Sequence, residues 1–161
     1  DAMDFAGELD GEADLAKVRA ALGDLEAAKA SGARVAIVDT VAVPKASGIH
    51  GDRSSVAAGE KLAAEGLRVA VVDSRWVLPV PQALVALAAR AGNVAVVEDN
   101  SVAAGIGAEV SRACGEGGVS APVHRFGLPK EFIDHASRGQ VLEAAGLTAS
   151  RLAERLRDRL G

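Results

Sequence analysis

Three segments of this chain are unbroken runs of small and β-branched residues: Arg34-Val-Ala-Ile-Val-Asp39, Arg68-Val-Ala-Val-Val-Asp73 and Asn93-Val-Ala-Val-Val-Glu98. A strand with one wet face alternates apolar and polar residues. A continuous run suits a strand covered on both faces, as in a parallel sheet between layers of helices. Each run ends in an acid, so Asp39, Asp73 and Glu98 are expected at the carboxyl edge of the sheet, where open α/β sheets bind their ligands. Ala121-Pro-Val-His-Arg-Phe126 reads as a fourth strand.

Helices are expected between the runs. Ser54 and Ser55 supply capping hydroxyls for a helix to Glu65, closed by Gly66. Pro81 opens a helix to Arg90, closed by Gly92. Ser101 to Ala113 reads as a third, 130–136 and 138–145 as short helical stretches, and Thr148 as the cap of a last helix with Leu152 and Leu156 on one face. The order βαβαβαβ predicts the fold class α/β: a three-layer α/β/α domain with a mostly parallel sheet. At 161 residues, 49% hydrophobic and 25% charged, the chain has the composition of one ordinary globular domain.

Residues 1–14 carry six acids and no base. Residues 1–12 are therefore expected to be a flexible acidic leader, followed by a single domain over 13–161. That domain begins with an amphipathic helix over 13–32, whose Leu15, Val18, Leu22 and Leu25 share a face. Residues 40–53 form the longest irregular stretch, long enough to be a functional loop or an insertion.

The same counts exclude several function classes. A net charge of −4 and four aromatic residues offer little to a phosphate backbone or to stacked bases, so no nucleic-acid partner is expected. No run is long and apolar enough to span a membrane, and the first residues lack the basic and apolar regions of a signal peptide. The lone Cys114 cannot form an internal disulfide, and a cytoplasmic location is expected. His50, His124 and His135 have no metal-ligand spacing. No GxSxG elbow, GxGxxG turn or phosphate loop occurs.

Two segments retain chemistry worth weighing. In Glu98-Asp-Asn-Ser-Val-Ala-Ala-Gly-Ile-Gly107, Gly105 and Gly107 let the backbone approach something closely. That is either a phosphate at a helix N-terminus or a tightly packed neighbour. In Ile49-His-Gly-Asp-Arg-Ser-Ser55, Arg53 with Ser54 and Ser55 could hold an anion, and His50 with Asp52 could form an acid–base pair. The alternative is a polar loop leading into a capped helix.

Three further stretches occur in order: Val71-Val-Asp-Ser-Arg-Trp-Val-Leu-Pro-Val-Pro81; Val96-Val-Glu-Asp-Asn-Ser101 with Gly105 and Gly107; and Phe126-Gly-Leu-Pro-Lys-Glu-Phe-Ile-Asp-His-Ala-Ser-Arg138. With Leu142-Glu-Ala-Ala-Gly-Leu-Thr148 and the final helix, residues 56–161 resemble the C-terminal, transketolase-type third domain of 1-deoxy-D-xylulose-5-phosphate synthases, particularly the actinobacterial kind. Residues 1–55 diverge from that pattern.

The resemblance implies an intact three-domain enzyme that uses thiamine diphosphate and Mg²⁺. It joins pyruvate to glyceraldehyde 3-phosphate with loss of CO₂, at the start of an isoprenoid-precursor route. It also implies a homodimer whose cofactor is held by the first two domains. The third domain then has a structural and dimerising role, binds no cofactor itself and is inactive alone. Its partners are the thiamine-binding domains, in the same polypeptide or in a separate chain. No catalytic, cofactor or metal residue carries over. Asp73, Arg75, Pro79, Glu98, Asp99, Gly105, Gly107, Gly127 and Pro129 match as family-motif positions with structural roles. Two other functions stand beside this one: a stand-alone module binding a small anion through Arg53, Ser54 and Ser55, and a regulatory partner of the synthase.

Overall fold

The computed structural model describes residues 32–39, 54–73 and 78–160. The expected leader over 1–12, most of the helix over 13–32 and the loop over 40–53 lie outside them. Four strands form one parallel sheet: β1 (Val35–Asp39), β2 (Val69–Asp73), β3 (Val94–Ser101) and β4 (Val123–Leu128), in the order β2-β1-β3-β4. Among the described residues, five helices surround them: α1 (Ser54–Ala64), α2 (Gln82–Ala91), α3 (Ile106–Glu116), α4 (Arg138–Ala144) and α5 (Ala149–Leu160).

The apolar runs behave as their composition requires. All five residues of β1 are buried, as are the first five of β3. On one sheet face, Ala36, Val38, Val72, Val94 and Val96 pack against Leu84, Leu87 and Ala88 of α2 and Val110 and Cys114 of α3. On the other, Val35, Ile37, Ala95, Val97 and Phe126 pack against Ala58 and Leu62 of α1, Leu142 of α4, and Leu152, Ala153 and Leu156 of α5. The alternation of side chains along each strand feeds both cores, so the apolar residues of the central strands are buried on both faces. This is the expected three-layer α/β/α arrangement.

Helix ends follow local chemistry. Gly66 and Gly92 close α1 and α2 at φ 90° and 76°, a left-handed conformation that glycine adopts at no steric cost. Pro81 stands one residue before α2, with extended backbone. Ser137 and Gln140 form a reciprocal capping box at the start of α4.

Several expectations are corrected. Ser54 and Ser55 are the first residues of α1 and not its cap. The fourth strand runs over Val123–Leu128, two residues later than expected, because Pro122 has no N–H to give a ladder. Residues 130–136 are not helical. Phe132 and Ile133 are adjacent and both exposed, so no apolar stripe exists to hold a helix on the domain. The helix expected from Ser101 starts at Ile106, for a reason given below.

Phe126 is fully buried on β4, and the Arg155 guanidinium stacks 4.8 Å from its ring centre. Arg155 also donates to the carbonyls of Ala145 and Gly146, which ties α5 to the end of α4. Replacing Phe126→Ala removes the ring from the core and the platform from Arg155. A loss of about 3–5 kcal/mol is expected in urea unfolding.

Arg157 of α5 donates from Nε to Glu65 at 2.7 Å, and that pairing holds the Glu65 carboxyl below its usual range. A depressed folded value adds stability above the unfolded pKa and loses it as pH falls through the folded one. The urea midpoint should therefore fall less steeply below about pH 4.5 in Glu65→Gln than in the parent. The pair is exposed, so the difference is small.

Candidate functional site

The order β2-β1-β3-β4 places a topological switch between β1 and β3, because the chain leaves β1 in one direction and arrives at β3 from the other. The crevice outside the carboxyl ends of those two strands is where a doubly wound sheet takes its ligand. Here it is lined by Asp39, Ser54, Ser55, Val97, Glu98, Asp99, Arg138, Leu142 and Leu147. It is a pit of about 10 Å³, which is room for one water.

The pit is small because of Glu98. This residue is 1% exposed, an unusual burial for a carboxylate. The N–H of Ile106 donates to its Oε2 at 2.7 Å, and that of Gly107 to its Oε1 at 3.2 Å. These are the first two residues of α3. The residue at the cap position is Gly105, which has no side chain with which to cap. A carboxylate from the neighbouring strand does the work instead, and its charge meets the positive end of the helix. The helix starts at Ile106 because that is where the carboxylate reaches the backbone.

Three glycines make room for it. A Cβ on Gly105 would fall 1.8 Å from Glu98 Oε2. One on Gly107 would meet Glu98 Oε1 at 3.1 Å and Arg125 Cγ at 2.8 Å. One on Gly127 would meet the Asn100 carbonyl at 2.7 Å and Glu98 Cγ at 3.0 Å. Gly127 also lies beside the irregularity of β3: between the pairs Val97–Phe126 and Ser101–Leu128, β3 takes four steps while β4 takes two. The extra residues leave Glu98 buried and Asp99 partly exposed. Asp99 there bridges Arg138 at 2.8 Å, linking the end of β3 to the start of α4. Both partners are accessible, so the bridge positions α4 more than it stabilises it.

The structure thus brings together Glu98, Asp99, Gly105, Gly107 and Gly127 of the sequence-identified positions. Asp73 ends β2 in register with Asp39. Pro79 and Pro129 are exposed in connecting segments. Arg53 and Arg75, with His50 and Asp52, lie outside the described residues. Ser54 and Ser55 do line the pit, among three carboxylates and one guanidinium. Cys114 is buried between the sheet and α2, and that burial pushes its thiol pKa up, which removes it as a nucleophile. His124 Nε2 sits 3.4 Å from Asn93 Oδ1, with its pKa lowered by burial and by Arg159. Among the described residues no group of three potential ligands gathers for a metal, and no helix is long and apolar enough to cross a membrane.

A parallel sheet, helices on both faces and a switch point filled by its own carboxylate define a doubly wound α/β domain whose ligand crevice is occupied from within. Residues 52–152 match the family model of the transketolase C-terminal domain, and the chain belongs to that family. It is 52% identical over 99 residues to 1-deoxy-D-xylulose-5-phosphate synthase 1 of Streptomyces coelicolor, covering 62% of this chain and 15% of the relative. It is 42% identical over 129 residues to the synthase of Mycobacteroides abscessus, covering 74% of this chain and 20% of the relative. The chain therefore spans about a sixth of the length of the curated relatives it matches. Among solved structures it is similar to a split-gene transketolase, an inactive beta4 tetramer, with a TM-score of 0.64 and 27% identity over 77% of this chain and 38% of that one.

Glu98→Ala would leave one buried and one part-buried amide unpaired and a cavity beside them. It should destabilise the domain by about 2–5 kcal/mol, while Glu98→Gln, whose amide oxygen still accepts, should cost less. Gly105→Ala should be severe alone and milder in the Glu98→Ala background, because the atom it strikes is gone. Urea unfolding of the four variants forms a cycle that measures this coupling.

Proposed function

We propose that the chain is the third domain of a thiamine-diphosphate-dependent synthase of the 1-deoxy-D-xylulose-5-phosphate type. In the whole enzyme, pyruvate and glyceraldehyde 3-phosphate would yield 1-deoxyxylulose 5-phosphate and CO₂, with thiamine diphosphate and Mg²⁺ supplying the chemistry of carbanion stabilisation. This domain packs against the cofactor-binding domains, assists dimer formation and catalyses nothing alone. A cytoplasmic setting follows from the same reading.

The observation that carries the proposal is the occupied switch point. The crevice in which such a sheet would grip a diphosphate holds the Glu98 carboxylate on the helix amides, and only about 10 Å³ remains. Asp39, Glu98 and Asp99 surround that space, with Arg138 already paired to Asp99. The pit formed by the described residues does not fit thiamine diphosphate, which supports a cofactor held by other domains. The solved neighbour, an inactive beta4 tetramer of a split-gene transketolase, supports such a division of labour.

The stand-alone reading, a small anion held by Arg53, Ser54 and Ser55, meets opposing electrostatics, since the two serines share the pit with three acids. A regulatory partner of the synthase would need to exist as a separate short polypeptide.

Two measurements test the proposal. The purified chain, given pyruvate, glyceraldehyde 3-phosphate, thiamine diphosphate and Mg²⁺, is expected to release no CO₂; turnover would overturn the scaffold role. An antibody to the chain is expected to reveal, in source-cell lysate, a polypeptide several times larger than 16.3 kDa. A band at that mass, with no thiamine-dependent protein in complex with it, would defeat the domain reading.

A further inference from the structure

The pit between β1 and β3 is lined by one polar group that the Glu98 contact does not account for. Ser55, in the first turn of α1, is 1% exposed, yet among the described residues no hydrogen-bond partner meets its hydroxyl. An unpaired buried hydroxyl costs its full desolvation, and buried polar side chains in folded proteins nearly always bond to protein or to ordered water.

The other polar groups around the pit are already engaged. Glu98 accepts one amide on each oxygen, Asp99 and Arg138 bridge one another, and Asp39 and Ser54 each have an interaction of their own. Asp39 is nonetheless buried beside Glu98: it pairs with Val97, and Glu98 is the next residue on β3. A carboxylate has about four lone-pair sites, so accepting one or two bonds does not exhaust it.

We propose that the pit is the binding site of a single buried water. That water accepts from the Ser55 hydroxyl and donates to the carboxylates of Asp39 and Glu98, joining the start of α1 to the ends of β1 and β3. The space of about 10 Å³ is the volume one water needs, and three polar partners are the usual number for a buried one.

Charge selects water over an ion. An anion would suit the positive end of α1 but would face Asp39, Glu98 and Asp99. A cation would suit those acids but would face the first turns of both α1 and α3, together with Arg138. Both Glu98 oxygens are already committed to helix amides, and among the described residues no three potential ligands gather for a metal. A water is neutral and offers an acceptor to the helix side and two donors to the acids, so it satisfies both.

Crystals of the chain soaked in rubidium chloride and in sodium bromide test the assignment. The expected result is one density peak at about 2.8 Å from Ser55 Oγ and from a carboxylate oxygen of Asp39 and of Glu98, with no anomalous signal from either ion. A rubidium signal makes the pit a cation site and a bromide signal an anion site; either overturns the proposal. So does the lack of a peak, or a protein group bonded to the Ser55 hydroxyl in its place.

Ser55→Ala gives a second measure, in urea unfolding. Alanine is the better helix former, and a hydroxyl with nothing to bond is a liability, so a dry pit predicts a higher midpoint in the variant. With the water in place, the variant loses a hydrogen bond between α1 and the strand ends, and the midpoint is expected to fall. An unchanged or higher midpoint overturns the proposal.

Discussion

The arrangement of this domain turns on one carboxylate. Glu98 leaves the end of β3, enters the interior and accepts from the first two amides of α3. A buried charge without partners costs several kcal/mol, so the partners have to be in place. They are in place because Gly105 and Gly107 bring the helix backbone up to the oxygens and Gly127 clears the path beside β4. One strand, one helix and its flanking strand are thereby fixed relative to one another by a single group. The start of α3, the irregularity of β3 and the loss of space at the switch point follow from that contact.

The two cores reinforce this placement without duplicating it. Apolar packing on each face of the sheet is non-directional and would accept α3 at slightly different heights along its axis. The hydrogen bonds to Glu98 are directional and accept only one. The same contrast holds at the opposite face, where α5 is seated by Leu152 and Leu156 and then oriented by Arg155 over the Phe126 ring. In both cases burial supplies the stability and a charged or polar contact sets the register.

The central sheet was legible because its signal is local and redundant. Three runs of the same composition, each ended by an acid and separated by helix punctuation, allow few arrangements besides a covered parallel sheet. Gly105 and Gly107 were legible as a close approach to something, but its nature was not. Nothing in the sequence states that an acid seven residues upstream turns inward, since the terminal acids of β1 and β2 look the same. The choice depends on the two extra residues in β3 relative to β4, a pairing property that belongs to two strands and is visible in neither alone. The stretch 130–136 failed for the reverse reason. Its residue types suit a helix, yet a short helix without a buried face has no support from the rest of the fold.

Filling a ligand crevice with the protein's own carboxylate has a consequence for assembly. A doubly wound sheet retains its shape whether its switch point holds a cofactor or a side chain, because both satisfy the same helix amides. Once the side chain is built in, the domain no longer depends on ligand to be folded, and its surface is free to specialise in contact. On the proposed reading, catalysis and cofactor lie elsewhere, and this domain contributes a body whose carboxyl edge is closed at the pit. The Arg138–Asp99 bridge joins the strand that carries Glu98 to the start of α4, so the helix beside the closed edge is held to the same strand.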